Sequence, residues 1–176
     1  MALTVRRLTE PDVPALLDLV DALLEYEQLP RPDPGARDRL AADALANSPH
    51  FHVLLAELEG EIVGYALYMY TYSTLLGRPT LYLEDLFVRP DRRGAGAGAA
   101  LFRACVSEAV RQGCGRMDWQ VLNWNTPAIE FYRRLGAEQL TAWLPFRLEG
   151  AALERLGQAD WPVDEFPTHV GGTSPG

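Results

Sequence analysis

A chain of 176 residues, 48% hydrophobic and 23% charged, is sized for one domain with a substantial core. Its formal net charge of −8 argues against nucleic acid as a partner and suits a cationic substrate. No apolar run reaches the length of a membrane span, and Met1–Arg7 lacks the basic-then-apolar order of a secretory signal, so no membrane association and a cytoplasmic location are expected. The two cysteines, Cys105 and Cys114, are spaced for no metal and are expected as free thiols.

In chain order, Leu3–Leu8 reads as a short strand, and Thr9 caps a helix that starts near Pro11. Leu16, Leu17, Val20, Leu23 and Leu24 give that helix one apolar face, with Asp18, Asp21 and Glu25 on the solvated side. Three prolines make Gln28–Gly35 a loop, and a second amphipathic helix follows from Ala36 to about Ala46. Phe51–Leu58 and Ile62–Tyr72 pair as a hairpin about Glu59-Gly60-Glu61, and a turn at Gly77-Arg78-Pro79 leads into a strand at Thr80–Val88. Ala97–Arg111 reads as a helix with Leu101, Cys105, Val106 and Ala109 inward, stopped by Gly113. A strand at Arg116–Leu122, a short helix from Pro127 to Gly136 and a last strand at Ala137–Leu148, interrupted near Pro145, complete the pattern.

The expected fold class is α/β (α+β): one domain over residues 1–156, a mixed and mostly antiparallel sheet with helices on both faces. Its expected order is β-α-α-β-β-β-α-β-α-β. Residues 157–176 are rich in Gly, Pro and polar side chains and read as a mobile or partner-docked tail, in which Trp161 and Phe166 favour apolar contact.

The richest stretch joins the fourth strand to the helix after it. Arg93-Gly-Ala-Gly-Ala-Gly98 carries three glycines separated by alanines, so a ligand can approach the main chain and several N–H groups can converge on it. The helix behind it adds a positive N-terminal end, which makes a phosphate cradle. A P-loop is disfavoured, because the Gly-Lys-Ser/Thr ending is missing. A dinucleotide fold is disfavoured as well, because the strand belongs to an antiparallel meander.

Arg93-Gly-Ala-Gly-Ala-Gly98 resembles the Arg-x-x-Gly-x-Gly pattern of the GNAT N-acetyltransferases. Asn123-Trp-Asn125 followed by Ala128–Ala137 resembles that family's second signature, and the likeness spans roughly residues 3–148. Leu81–Val88, Glu25-Tyr-Glu27 and Trp124–Pro127 resemble the diamine (spermidine/spermine) acetyltransferase branch.

The resemblance implies acetyl-CoA as cofactor. Its pyrophosphate would lie on the N–H groups of Gly94, Ala95, Gly96, Ala97, Gly98 and Ala99, with charge added by Arg92 and Arg93. Its pantetheine arm would lie beside Leu86, Phe87 and Val88, where two strands splay apart, and would meet Asn125 and the neighbouring Ala128. Tyr132 matches the tyrosine that protonates the leaving thiolate. A phenol suits this step, being neutral at pH 7 and able to donate. Glu84 matches the acidic residue at the transfer centre, which draws a proton from the ammonium through water. Alternation along the strand sends Glu84 and Asp85 to opposite faces, which leaves Asp85 structural. Tyr26 and Glu27 would line the acceptor entrance, and Asp118, Trp119 and Gln120 the acceptor groove.

The branch carries acidic residues shortly after Leu135-Gly136-Ala137, where this chain has Thr141-Ala-Trp-Leu-Pro145. That departure opens the acceptor to a short diamine or an amino-acid-like amine beside the long polyamines. The expected activity is direct acetyl transfer to a small primary amine in a ternary complex, with no metal and as a homodimer. Acetylation of a peptide and non-catalytic acyl-CoA binding are the alternatives. The Tyr26–Gly35 loop, which narrows the acceptor side, argues against the first. The joint presence of Glu84, Asn125 and Tyr132 argues against the second.

Overall fold

The computed structural model describes residues 2–159. Five strands form one sheet in the order β1 to β5: β1 (Leu3–Arg7), β2 (His52–Leu58), β3 (Glu61–Ser73), β4 (Arg78–Val88) and β5 (Arg116–Trp119). The first four pair antiparallel in sequence, and β5 lies parallel to β4 after the crossover helix α3 (Ala97–Arg111). Val53–Ala56 in β2 and Val63–Tyr68 in β3 are buried on consecutive positions, so both faces of the sheet centre are covered.

Two helices cover one face. Leu16, Leu19 and Leu23 of α1 (Val13–Tyr26) pack on Val53, Leu55, Tyr65, Leu67 and Phe87, with Leu40 and Ala44 of α2 (Ala36–Ala44) beside them. The solvated acidic side of α1 is partly used, because Arg37 of α2 pairs with Asp18 at 3.2 Å and also with Asp21. The other face belongs to α3, whose Ala97, Leu101, Phe102, Cys105 and Ala109 are buried. Val106, expected inward, is 40% exposed. The buried row advances by four residues per step from Ala97, and position 106 falls beyond its edge.

Two compact units divide the chain, residues 1–126 and 127–176. The second holds most of α4 (Thr126–Arg134) and all of α5 (Gly150–Gln158). The strand expected at Ala137–Leu148 is corrected: these residues adopt no strand, and Leu144 and Phe146 are exposed. Pro145 removes a ladder donor there, and adjacent Trp143 and Leu144 break the alternation a half-buried strand needs. The sheet thus has five strands among the described residues, and the next element after α4 is α5. The tail expected from Gly157 begins inside α5, and residues 160–176, with Trp161 and Phe166, lie outside the described residues.

Entry into α1 is fixed by a buried carboxylate. Asp12, in a short 3-10 turn at Glu10–Asp12, accepts from Thr9 N at 2.9 Å and Thr9 Oγ1 at 2.6 Å. Both terminal nitrogens of Arg6 donate to it, at 2.6 and 2.9 Å, while Arg6 Nε reaches Glu57 at 3.0 Å. These bonds, the Arg6 pair first, hold the Asp12 carboxyl far below the usual range against the opposing effect of burial.

Asp12→Asn should cost about 2 kcal/mol of stability at neutral pH, the scale of hydrogen bonds to a buried charge. Because the folded value is depressed, this contribution is complete above the unfolded carboxyl's pKa of about 3.9 and fades as pH falls below it. Urea midpoints of the two proteins should therefore converge in acid. A difference that stays constant down to pH 2.5 would show that the charge is not responsible.

Candidate active site

The ladder between β3 and β4 contains one extra residue. Tyr68 stands opposite Leu83 and Leu67 opposite Asp85, so Glu84 has no partner of its own and forms a β-bulge. Leu67 belongs to the face under α1, whereas Tyr70, two residues beyond Tyr68, bonds Glu108 of α3 at 2.9 Å. Leu81 and Leu83 therefore share the α3 face, while Asp85 and Phe87 share the α1 face. The strict alternation expected through Glu84 and Asp85 is thus broken at Glu84.

Asp85 accepts a hydrogen bond from Tyr65 Oη at 3.0 Å, and the Tyr65 side chain is fully buried. Burial first, then the charges of Glu84 and Glu27, lift the Asp85 carboxyl to about 6 against the lowering effect of the Tyr65 bond. The same burial, with Asp85, Glu27 and Glu84, pushes the Tyr65 hydroxyl strongly up. Glu27, the residue that ends α1, is itself raised by burial. Three carboxylates, Glu27, Glu84 and Asp85, thus act on one buried phenol. Of these, Glu84 is the exposed one.

Past the bulge, the outer edge of β4 is open. Its pairing with β5 covers only Thr80–Leu83, because β5 ends at Trp119 rather than Leu122. Arg89 N donates to Val63 O at 3.0 Å, which makes Gly64 and Val88 a non-hydrogen-bonded pair. The N–H and C=O of Val88 therefore point away from β3, and by the same alternation so do those of Leu86. Gly64 allows β3 this close, since a Cβ there would lie 2.5 Å from Phe87 O. The result, among the described residues, is a short strand edge with no neighbouring strand, on which an extended ligand could form main-chain bonds.

This edge leads into the glycine loop. Gly94 and Gly96 have φ of +86° and +84°, a region that favours glycine, and Gly96 is the N-cap of α3. A Cβ at either would meet nothing within 4 Å, so open space adjoins the loop there. The first amides of α3, from Ala97 to Ala99, have no partner within the helix and present its positive end. The residues present fit a pyrophosphate. The arginines are deployed differently from the expectation: Arg92 pairs with Glu61 at 2.6 Å, and Arg93 Nε donates back to Val88 O at 3.0 Å. Both guanidinium groups are thus engaged with protein partners, Glu61 and Val88.

An open pocket adjoins the end of α1, lined by Tyr26, Glu27, Gln28 and Trp124. Tyr26 has ring centroids 6.3 Å from Phe87 and 5.8 Å from Trp124. Of the three β5 positions expected in the acceptor groove, Trp119 packs edge-on to Phe102 of α3 at 5.3 Å, Asp118 pairs with Arg116 at 3.0 Å, and Gln120 follows the strand's end. Asn125 lies in the turn before α4, its N–H bonded to Leu122 O at 2.9 Å. Ala128 and Tyr132 are on α4, where Tyr132 meets Phe131 edge-on at 5.4 Å. The described residues contain no His/Cys/Asp/Glu group able to hold a metal ion.

A mixed sheet that splays beside a glycine loop opening a helix matches the model of the acetyltransferase (GNAT) family over residues 16–137. The chain belongs to that family. It is 37% identical over 163 residues to the thialysine N-epsilon-acetyltransferase of Bos taurus, covering 86% of this chain and 95% of that protein. It is 29% identical over 153 residues to the spermidine/spermine N(1)-acetyltransferase-like protein 1 of Homo sapiens, covering 81% of this chain and 22% of that protein. Among solved structures, an integron cassette protein from the mobile metagenome of V. cholerae shares the fold at TM-score 0.77 and 22% identity, covering 90% of this chain and 99% of that one. This acetyltransferase therefore sits in the diamine acetyltransferase branch expected from its motifs.

The acetyltransferase's Asp85 should titrate near pH 6 in the free protein, followed by the carboxyl carbon resonance of labelled aspartate. Tyr65→Phe removes the bond that favours the ionised form and should move that midpoint upward. An unchanged or lower midpoint would mean that the hydrogen bond is not made in solution.

Proposed function

We propose that this enzyme transfers acetyl from acetyl-CoA to the primary amine of a small cationic substrate, by direct attack in a ternary complex. The observation that carries this reading is the convergence of Glu27, Glu84 and Asp85 on Tyr65 at one end of an open strand edge whose other end is the glycine loop. One end of that edge suits a cation and the other an anion. The substrate class named by the thialysine relative, an amine on a short amino-acid chain, fits the missing acidic residues after Ala137. Residues 1–156 would form the catalytic domain and residues 157–176 its tail, in a cytoplasmic homodimer.

Acetyl-CoA supplies an acetyl group already activated as a thioester. The amides of Gly94 to Ala99 would hold its pyrophosphate, and Leu86, Phe87 and Val88 would line its arm, which Asn125 and Ala128 would contact as the family resemblance implies. Glu27 and Tyr26 would receive the distal charge of the amine. An alkylammonium must lose a proton before it can attack. Asp85, with a pKa lifted toward neutrality, is matched to take it at Oδ1 or Oδ2, directly or through water. Glu84, exposed at the bulge, would meet the incoming ammonium and pass it inward. Tyr132 would return a proton to the departing sulfur.

A covalent acetyl-cysteine route is disfavoured by the thiols. Cys105 is fully buried with its thiol pushed up to about 12, chiefly by burial, and burial raises Cys114 as well. Such thiols are protonated and poor nucleophiles at neutral pH.

The test is a panel of short diamines, polyamines, ornithine, thialysine, lysine and a lysine-containing peptide, assayed with acetyl-CoA for free-thiol release. A small amine should be the best acceptor, and preference for the peptide would overturn the reading. With that amine, Asp85→Asn should lower kcat/KM by about a hundredfold and remove a limb near pH 6. Glu84→Gln should act mainly on the KM of the amine, and Tyr132→Phe on kcat alone. A pH profile that Asp85→Asn leaves unaltered would take Asp85 out of the proton transfer.

A further inference from the structure

Arg93 opens the glycine motif, and although the residue is exposed, its side chain is laid across the edge of β4 and onto an aromatic face. Its guanidinium carbon sits 4.6 Å from the centre of the Tyr26 ring and 5.9 Å from that of Phe87. Its Nε donates to the outward-facing carbonyl of Val88 at 3.0 Å, in a partly buried position. One side chain thus occupies two features at once: an acceptor on the free edge of β4, and the aromatic face beside Glu27 and Trp124.

Both features have other uses in the reading above, on which this inference rests. The arm of acetyl-CoA would bond the edge at Leu86–Val88, and an amide donor of that arm competes directly with Arg93 Nε for Val88 O. A cationic amine entering between Tyr26 and Glu27 competes with the guanidinium for the same ring. We propose that Arg93 is a positioning residue that closes the acceptor side until the cofactor arrives. Binding of the cofactor along β4 breaks the Arg93–Val88 bond, the guanidinium leaves Tyr26, and the aromatic face is uncovered for the amine. The enzyme therefore binds acetyl-CoA first. Loss of a single hydrogen bond and a single cation–π contact is within what one main-chain bond and phosphate binding can offset.

The experiment uses CoA as the probe and the Nε–H resonance of Arg93 as the readout, in protein labelled with 15N-arginine and assigned by its loss in Arg93→Lys. In the free protein the Tyr26 ring should displace this resonance from those of exposed arginines, and Tyr26→Leu should abolish the displacement. Saturating CoA should return it to the exposed position and make its exchange with solvent about tenfold faster, as loss of a hydrogen bond to Val88 O requires. If the amides of Gly96–Ala99 move with CoA while Arg93 Nε–H keeps its shift and exchange rate, the inference fails and the cofactor reading stands. If CoA moves neither, both fail. Product inhibition with the best panel amine gives the second readout: the acetylated amine should be noncompetitive toward both substrates, and its competition with the amine, the random-order pattern, would overturn the coupling.

Discussion

Glu84 is one residue too many for the ladder it sits in, and the architecture beyond it follows from that surplus. With Leu83 opposite Tyr68 and Asp85 opposite Leu67, β4 changes which of its residues face α1. Without the bulge, Leu83 and Asp85 would share a face, and Asp85 would enter the apolar packing under α3. With it, Asp85 comes to the Tyr65 side and the leucines keep theirs. A bulge also bends the strand and increases its twist. The pairing of β4 with β5 stops at Leu83, the residue before the bulge. One inserted residue accounts for a displaced carboxylate and an open strand edge together.

The ends of that edge differ in electrostatic character. Toward the bulge, Glu27 and Glu84 add to the effect of burial in raising the proton affinity of Asp85 and Tyr65. Toward α3, main-chain N–H groups and the helix end offer positive potential without a committed basic side chain, since Arg89 and Arg92 are both paired with Glu61. Backbone donors cost no side-chain ordering when an anion arrives, so the loop needs glycine more than it needs arginine. Arg93 lies along the edge between the two ends, bonded to Val88 O and set over Tyr26.

How much of this was legible in the sequence depends on what each signal encodes. The apolar runs in 51–58 and 62–72 belong to strands buried on both faces, the apolar row from Leu16 reports one buried helix face, and the elements they specify are present. The glycine run specifies backbone conformation locally, so its turn into α3 was readable. Glu84 next to Asp85 in an apolar strand was a visible anomaly, but alternation assumes an unbroken register, and a bulge is decided by the partner strand. Two adjacent carboxylates in such a run are better read as a bulge signal. The early end of β5 and the use of Trp119 against Phe102 depend on β4 in the same way. At 137–148 the apolar content resembled a strand, but Pro145 and the adjacent Trp143 and Leu144 break the pattern that a ladder needs. The side-chain path of Arg93 depends on Tyr26, far away in sequence, and no local pattern carries it.

The carboxylate cluster also has a cost to the free fold, which bears on why it persists. Asp85 has a folded pKa near 6, above its unfolded value of about 3.9. A group raised in this way contributes stability in full below the unfolded value and loses it as pH rises through the folded one. At neutral pH the protein therefore holds an ionised, largely buried carboxylate beside two others, with the Tyr65 hydroxyl as its hydrogen-bond donor. Replacing the cluster with apolar residues would favour folding, which is the mark of a site kept for binding rather than for stability. A cation entering beside Glu84 would relieve the repulsion that the empty fold tolerates. In the proposed reaction that stored energy would become affinity for a charged amine, released where the amine gives up its proton.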